Sequence, residues 1–191
     1  MQNLAKGIDG LDKTYEQAIG RIEDHEKDNR DLAKLILAWI VHAKRPLSTT
    51  EVQHALAVKP CSVELDKDYL PSVRVLRSVC AGLVTIDEES SIIRLVHYTT
   101  QEYFERTWTL WFANAQTDIT TTCATYLSFG TFEAGFCPTD EKFEERLQLN
   151  PLYDYAARNW GYHARVASAE VKQLIVRLLE NKAKVPDLAR L

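Results

Sequence analysis

The chain has 191 residues, 46% apolar and 26% charged, enough for one domain or a small domain with an appendage and too short for several independent cores. Lys and Arg total 23 against 27 Asp and Glu, a net charge of −4, which removes the usual electrostatic pull toward nucleic acid or acidic membranes. No stretch is strongly biased in composition, so the chain should fold rather than remain disordered.

The longest apolar run, Leu35 to Val41, is followed at once by His42 and Lys44 and is too short to span a bilayer. Lys6, Asp9, Asp12, Lys13 and Glu16 leave no room for the apolar centre of a secretory signal, so a cytoplasmic protein is expected. Cys61, Cys80, Cys123 and Cys137 have neither redox nor zinc-pair spacing and read as buried free thiols.

Leu11, Tyr15, Ile19 and Ile22 recur at helical spacing between charged residues and predict an opening amphipathic helix. Leu32, Leu35, Ile36, Trp39 and Ile40 define a second helix from about Asp31, which stops before Pro46. Ser48 and Glu51 form a capping-box pair for a short helix over about 49–58. Pro71 suits a first helical turn, and Val75, Leu76, Val79 and Cys80 form a stripe ending at Gly82.

Leu83-Val84-Thr85-Ile86 and Ser91-Ile92-Ile93-Arg94-Leu95-Val96, separated by polar Asp87-Glu88-Glu89-Ser90, predict a β-hairpin. Helical spacing returns from Tyr98, with Tyr103, Phe104, Trp108 and Trp111 on one stripe. Three helices, a hairpin and a following helix make a winged-helix arrangement.

The remainder reads as helical. Ile119, Cys123, Tyr126 and Leu127 face inward over about 118–129, and Phe143 and Leu147 mark a helix before Asn150. Asn150-Pro151 is a cap and first-turn pair for a helix carrying Leu152, Tyr155, Ala156 and Trp160, with Gly161 closing it. Ser168 caps a last helix lined by Leu174, Ile175, Leu178 and Leu179. The fold class is therefore mainly α, with a connector helix over 1–30, a winged-helix domain over 31–108 and a helical extension over 109–191.

No phosphate-cradling glycine loop, HExxH, GxSxG or HxE with PCxxC occurs, and the five histidines are scattered. No catalysis, no metal and no cofactor bound by this chain alone are expected. DNA binding is a rival reading, since a winged helix commonly places its third helix in the major groove. Between Cys61 and Ile93, however, three cations, Lys67, Arg74 and Arg77, meet six anions, Glu64, Asp66, Asp68, Asp87, Glu88 and Glu89, and a surface of −3 forfeits counterion release. A stand-alone protein-interaction adaptor is the other rival.

The runs Leu83 to Glu89 and Ile92 to Phe104, with Gly10 to Tyr15, Ala43 to Leu47, Glu51 to Ala57 and Asn150 to Trp160, carry a resemblance covering Gly10 to about Arg165. The chain resembles the winged-helix region of fungal NACHT-type STAND receptors, Nod-like proteins that often end in ankyrin repeats. The same winged-helix type takes its name from GPI inositol-deacylase, and the resemblance brings none of that hydrolase's serine chemistry. It implies a signalling role in which the winged helix packs on a nucleotide-binding NACHT module in the resting state and moves away on activation. The implied partners are that module and a repeat domain, with ADP or ATP bound in the full-length receptor. Whether the chain is a fragment, a truncated paralogue or a complete protein stays open.

In such receptors a histidine between the last wing strand and the next helix reaches the ADP β-phosphate, and His97 occupies that place. Tyr98 stands where the family has an acidic residue. The other reading of His97 is a local cap for the helix around Thr99 and Thr100. Core packing is expected of Trp39, Trp108, Trp111 and Trp160. Trp111 and Phe112 are the candidate exception, because two adjacent aromatics cannot both face one helix's core, which makes them the expected interaction residues.

Overall fold

The computed structural model describes residues 2–60, 62–133, 135 and 137–180. It is mainly helical with one small sheet. In chain order the elements are α1 (Gln2–Glu23), α2 (Lys27–His42), β1 (Leu47–Ser48), α3 (Thr49–Ala57), α4 (Val73–Val79), β2 (Val84–Ile86), β3 (Ile92–Leu95) and α5 (Tyr98–Trp111). They are followed by α6 (Ala115–Leu127), α7 (Asp140–Leu149), α8 (Leu152–Ala164) and α9 (Lys172–Glu180). This is the expected winged helix with a helical extension.

Two compact units arise that do not follow chain order: Met1–Thr49 with Pro71–Ala113, and Thr50–Leu70 with Asn114–Leu191. Nearly all of α3 thereby groups with the C-terminal helices. No helix among the described residues is long and apolar enough to cross a membrane.

In the first unit, α1 buries Tyr15, Ile19 and Ile22, while Leu11, one turn earlier, is exposed. On α2 the buried residues are Ala33, Ile36, Leu37, Ala38, Trp39 and Val41. That stripe is rotated toward 33, 37 and 41, which turns Leu35 outward against expectation. The hairpin forms as expected, with Val84 opposite Leu95 and Ile86 opposite Ile93. A third strand, β1, adds to its other side, pairing Leu47 with Ile93 and Ser48 with Ile92. Two residues are too few to show strand alternation in sequence.

Ser72, rather than Pro71, starts α4: its hydroxyl accepts from the Val75 amide at 3.3 Å, so the proline precedes the cap. α4 ends through Ala81 at φ 48° and Gly82 at φ 85°, a left-handed exit that reverses the chain into β2. At the wing tip the Asp87 carboxylate accepts from both the amide and the hydroxyl of Ser90 at 2.8 Å. Those two bonds, with a smaller contribution from the Arg94 charge, hold its pKa below the usual carboxylate range.

In the second unit α6 and α8 pack along each other. His163, fully buried, donates from Nδ1 to Gln116 Oε1 at 2.7 Å and accepts at Nε2 from the Tyr155 hydroxyl at 2.8 Å. This bond carries α8 past Gly161, which does not end the helix as expected. A single helical glycine costs only about 1 kcal/mol, and His163 lies on the buried stripe beyond it.

Asn150 also departs from expectation. Its side chain donates back to Arg146 O at 2.9 Å, closing α7 and leaving α8 without a side-chain cap. Phe143 and Leu147 on α7 are half-buried, and on α9 Leu178 is buried while Leu179 is exposed. Cys80, Cys123 and Cys137 are buried free thiols, with burial pushing Cys80 up to about 12. Cys61 lies outside the described residues. Trp39 is buried, and Trp108 and Trp160 are half-buried.

Candidate interaction site at the start of helix five

After β3 the chain makes one more sheet-like bond, from Val96 N to Leu83 O at 3.0 Å, and His97 then leaves in an extended conformation, φ −147° and ψ 152°. Such a residue is placed to cap the helix that follows. Its Nδ1 accepts from the Thr99 amide at 3.3 Å and lies 2.8 Å from the Thr99 hydroxyl. The local cap read from the sequence is present.

An imidazole nitrogen that accepts from a backbone N–H carries no proton of its own. The neutral ring therefore holds its hydrogen on Nε2. The Thr99 hydroxyl donates to Nδ1 and accepts from the Tyr15 hydroxyl, which contacts it from α1. A three-member chain, Tyr15 to Thr99 to His97, thus fixes the tautomer. Val96, His97 and Tyr98 are exposed around it, with the His97 and Tyr98 rings 4.7 Å apart. The outcome is a polar N–H on a small apolar surface beside a helix N-terminus, an arrangement suited to an anionic oxygen.

A second clamp holds α1 to α5 about two turns further along α5. Arg106 donates from Nη2 to Asp12 Oδ1 at 2.9 Å and from Nη1 to Asp12 Oδ2 at 3.2 Å, a two-pronged grip that an ammonium could not reproduce. The Tyr15 and Tyr103 rings, 5.4 Å apart, lie within the same α1 and α5 pair.

Trp111 and Phe112 are separated from this site and fall on either side of the end of α5. Phe112 is not helical: at φ −138° it follows the last turn, its amide bonded to Trp108 O at 2.7 Å. Freed from the helix it turns inward, is 6% exposed and has its ring 5.3 Å from that of Phe104. Trp111 is half-buried, and both rings line a void of about 10 Å³ with Ile19, Ile22 and Leu37. Near its C-terminal end α5 exposes Leu110, which the sequence reading passed over and which the helical phase between Trp108 and Trp111 could have marked.

Sequence reasoning located His97 and its local bond but missed Tyr15 and the Asp12–Arg106 pair. Those contacts join positions 84 and 94 residues apart, and no local pattern encodes them.

Compared with known proteins, residues 23–110 match the family described as GPI inositol-deacylase, winged helix domain. That interval runs from the last residue of α1 almost to the end of α5, and the chain carries a winged-helix domain there. Neither the curated proteins nor the solved structures give a match.

Proposed function

We propose that this chain is a non-catalytic regulatory and domain-coupling module of a fungal Nod-like receptor of the NACHT/STAND type, its winged helix packing on a nucleotide-binding module in the resting state. The observation that carries the reading is His97: Thr99 holds Nδ1, so the N–H donor that remains is Nε2, on an exposed ring between Val96 and Tyr98. A donor of that kind can reach an ADP phosphate oxygen in the adjoining module. The winged-helix match and the sequence resemblance around Ile92 to Phe104 support it.

Contact with ADP through His97 would stabilise the packed state, and loss of the contact would shift the population toward the open one. In the full-length receptor, His97→Ala should speed ADP release roughly tenfold, the worth of one hydrogen bond to a charged group. Unchanged release removes the role.

The DNA-binding reading has one observation in its favour: Arg74 and Arg77 line a shallow depression on α4, the helix that would meet a groove. Against it stands the acidic wing of Asp87, Glu88 and Glu89. Fluorescence anisotropy with random duplexes at low salt separates the two, since binding that collapses with salt would favour DNA.

A further inference from the structure

A cavity of about 540 Å³ opens in the second unit, lined by residues of α3, of the segment after it, of the stretch that follows α6 and of the end of α7. That size is in the range of small-molecule sites. Its charged lining consists of one carboxylate, Glu64, and one ammonium, Lys67. Among the described residues neither forms an ion pair, although the charges around them are engaged: Lys59 lies 3.1 Å over the Tyr69 ring and 3.9 Å from Asp66. Two opposite charges close in sequence thus line one cavity without closing on each other.

His54 supplies the third polar group. Its Nδ1 lies 3.0 Å from the hydroxyl of Tyr126. With the Tyr126 hydroxyl as donor to Nδ1, the His54 hydrogen sits on Nε2. Burial, followed by the Lys67 charge, lowers the His54 pKa and keeps the ring neutral at pH 7. The apolar lining includes buried Phe129 and two side chains left largely in water, Val63 at 73% and Leu149 at 69% exposed.

We propose that this cavity binds a free α-amino acid with a large apolar side chain. Its ammonium is held by Glu64, its carboxylate by Lys67 and the His54 N–H, and its side chain covers Val63, Phe129 and Leu149. A simple carboxylate would face Glu64 uncompensated, and a simple amine would face Lys67. Only a ligand carrying both charges answers both.

The test follows the His54 Cε1–H resonance of the full chain by NMR during titration with L-phenylalanine, N-acetyl-L-phenylalanine and L-phenylalaninamide. The expected Kd for L-phenylalanine is on the order of 1 mM, as suits a dozen heavy atoms held by solvated charges. Each analogue, having lost one charge, should bind about tenfold more weakly. Glu64→Gln should abolish the preference for L-phenylalanine over its N-acetyl form, and Lys67→Met the preference over the amide. Both positions are exposed, so these variants keep the fold. No shift up to about 20 mM ligand, equal binding of the three compounds to the wild type, or undiminished discrimination in the variants would overturn the proposal.

Discussion

The hydroxyl of Tyr15 on α1 is hydrogen-bonded to the hydroxyl of Thr99 in the first turn of α5, and Thr99 in turn holds the ring of His97. The orientation of His97 is therefore set partly by a residue before the matched winged-helix interval, so α1 acts on the candidate site as well as leading into it. Tyr15→Phe keeps the packed ring and removes only the hydroxyl. We expect a loss of about 1 kcal/mol in urea denaturation, together with faster amide exchange at Thr99. An unchanged Thr99 amide would show that the cap holds without α1.

Gly82 tests the reversal between α4 and the wing. At φ 85° it sits in the left-handed region, directly after Ala81, which is already there. A Cβ at this position would meet nothing within 4 Å, so a penalty in Gly82→Ala comes from the backbone and not from a clash. The expected cost is about 1–2 kcal/mol, read as a lower urea midpoint with an unchanged m-value.

Legibility in the sequence followed the range of the interaction. Helical stripes such as Ile36 and Trp39 or Tyr103 and Phe104 are readable because at those positions period and burial agree. Asn150 was misread because its amide can serve the helix behind it as readily as the one ahead, and the Arg146 carbonyl won. Gly161 was misread because the buried Tyr155–His163 bond outweighs one glycine's weak helix propensity. For Trp111 and Phe112 the premise itself failed, since the helix ends between them. His97 could be found from its place between strand and helix, whereas the hydroxyl chain that fixes its tautomer depends on how α1 returns to α5.

The wing tip should loosen in acid. Hydrogen bonds from Ser90 hold the folded Asp87 pKa below that of the unfolded chain. Its contribution is therefore complete above the ordinary carboxylate range and is lost as pH falls through the depressed folded value. Amide exchange at Ser90, corrected for its intrinsic pH dependence, should accelerate across that window. Asp87→Asn, with no charge to titrate, should show no such step.

His54 predicts a second transition at higher pH and in the other unit. Burial first, and the Lys67 charge second, place its folded pKa below the ordinary 6.5. The unfolded chain then takes up the proton more readily, so stability is full above about pH 6.5 and declines as pH falls through the folded value. Protonation at Nδ1 also removes the acceptor for the Tyr126 hydroxyl, whose residue is buried at 1% exposure. That hydroxyl hydrogen would be left without a partner, at about 1–3 kcal/mol. Chemical denaturation monitored between pH 7.5 and pH 5 should show the loss in wild type. Tyr126→Phe should show a smaller slope, because nothing is left to lose when His54 takes its proton. An identical slope in both would mean that desolvation alone governs the titration.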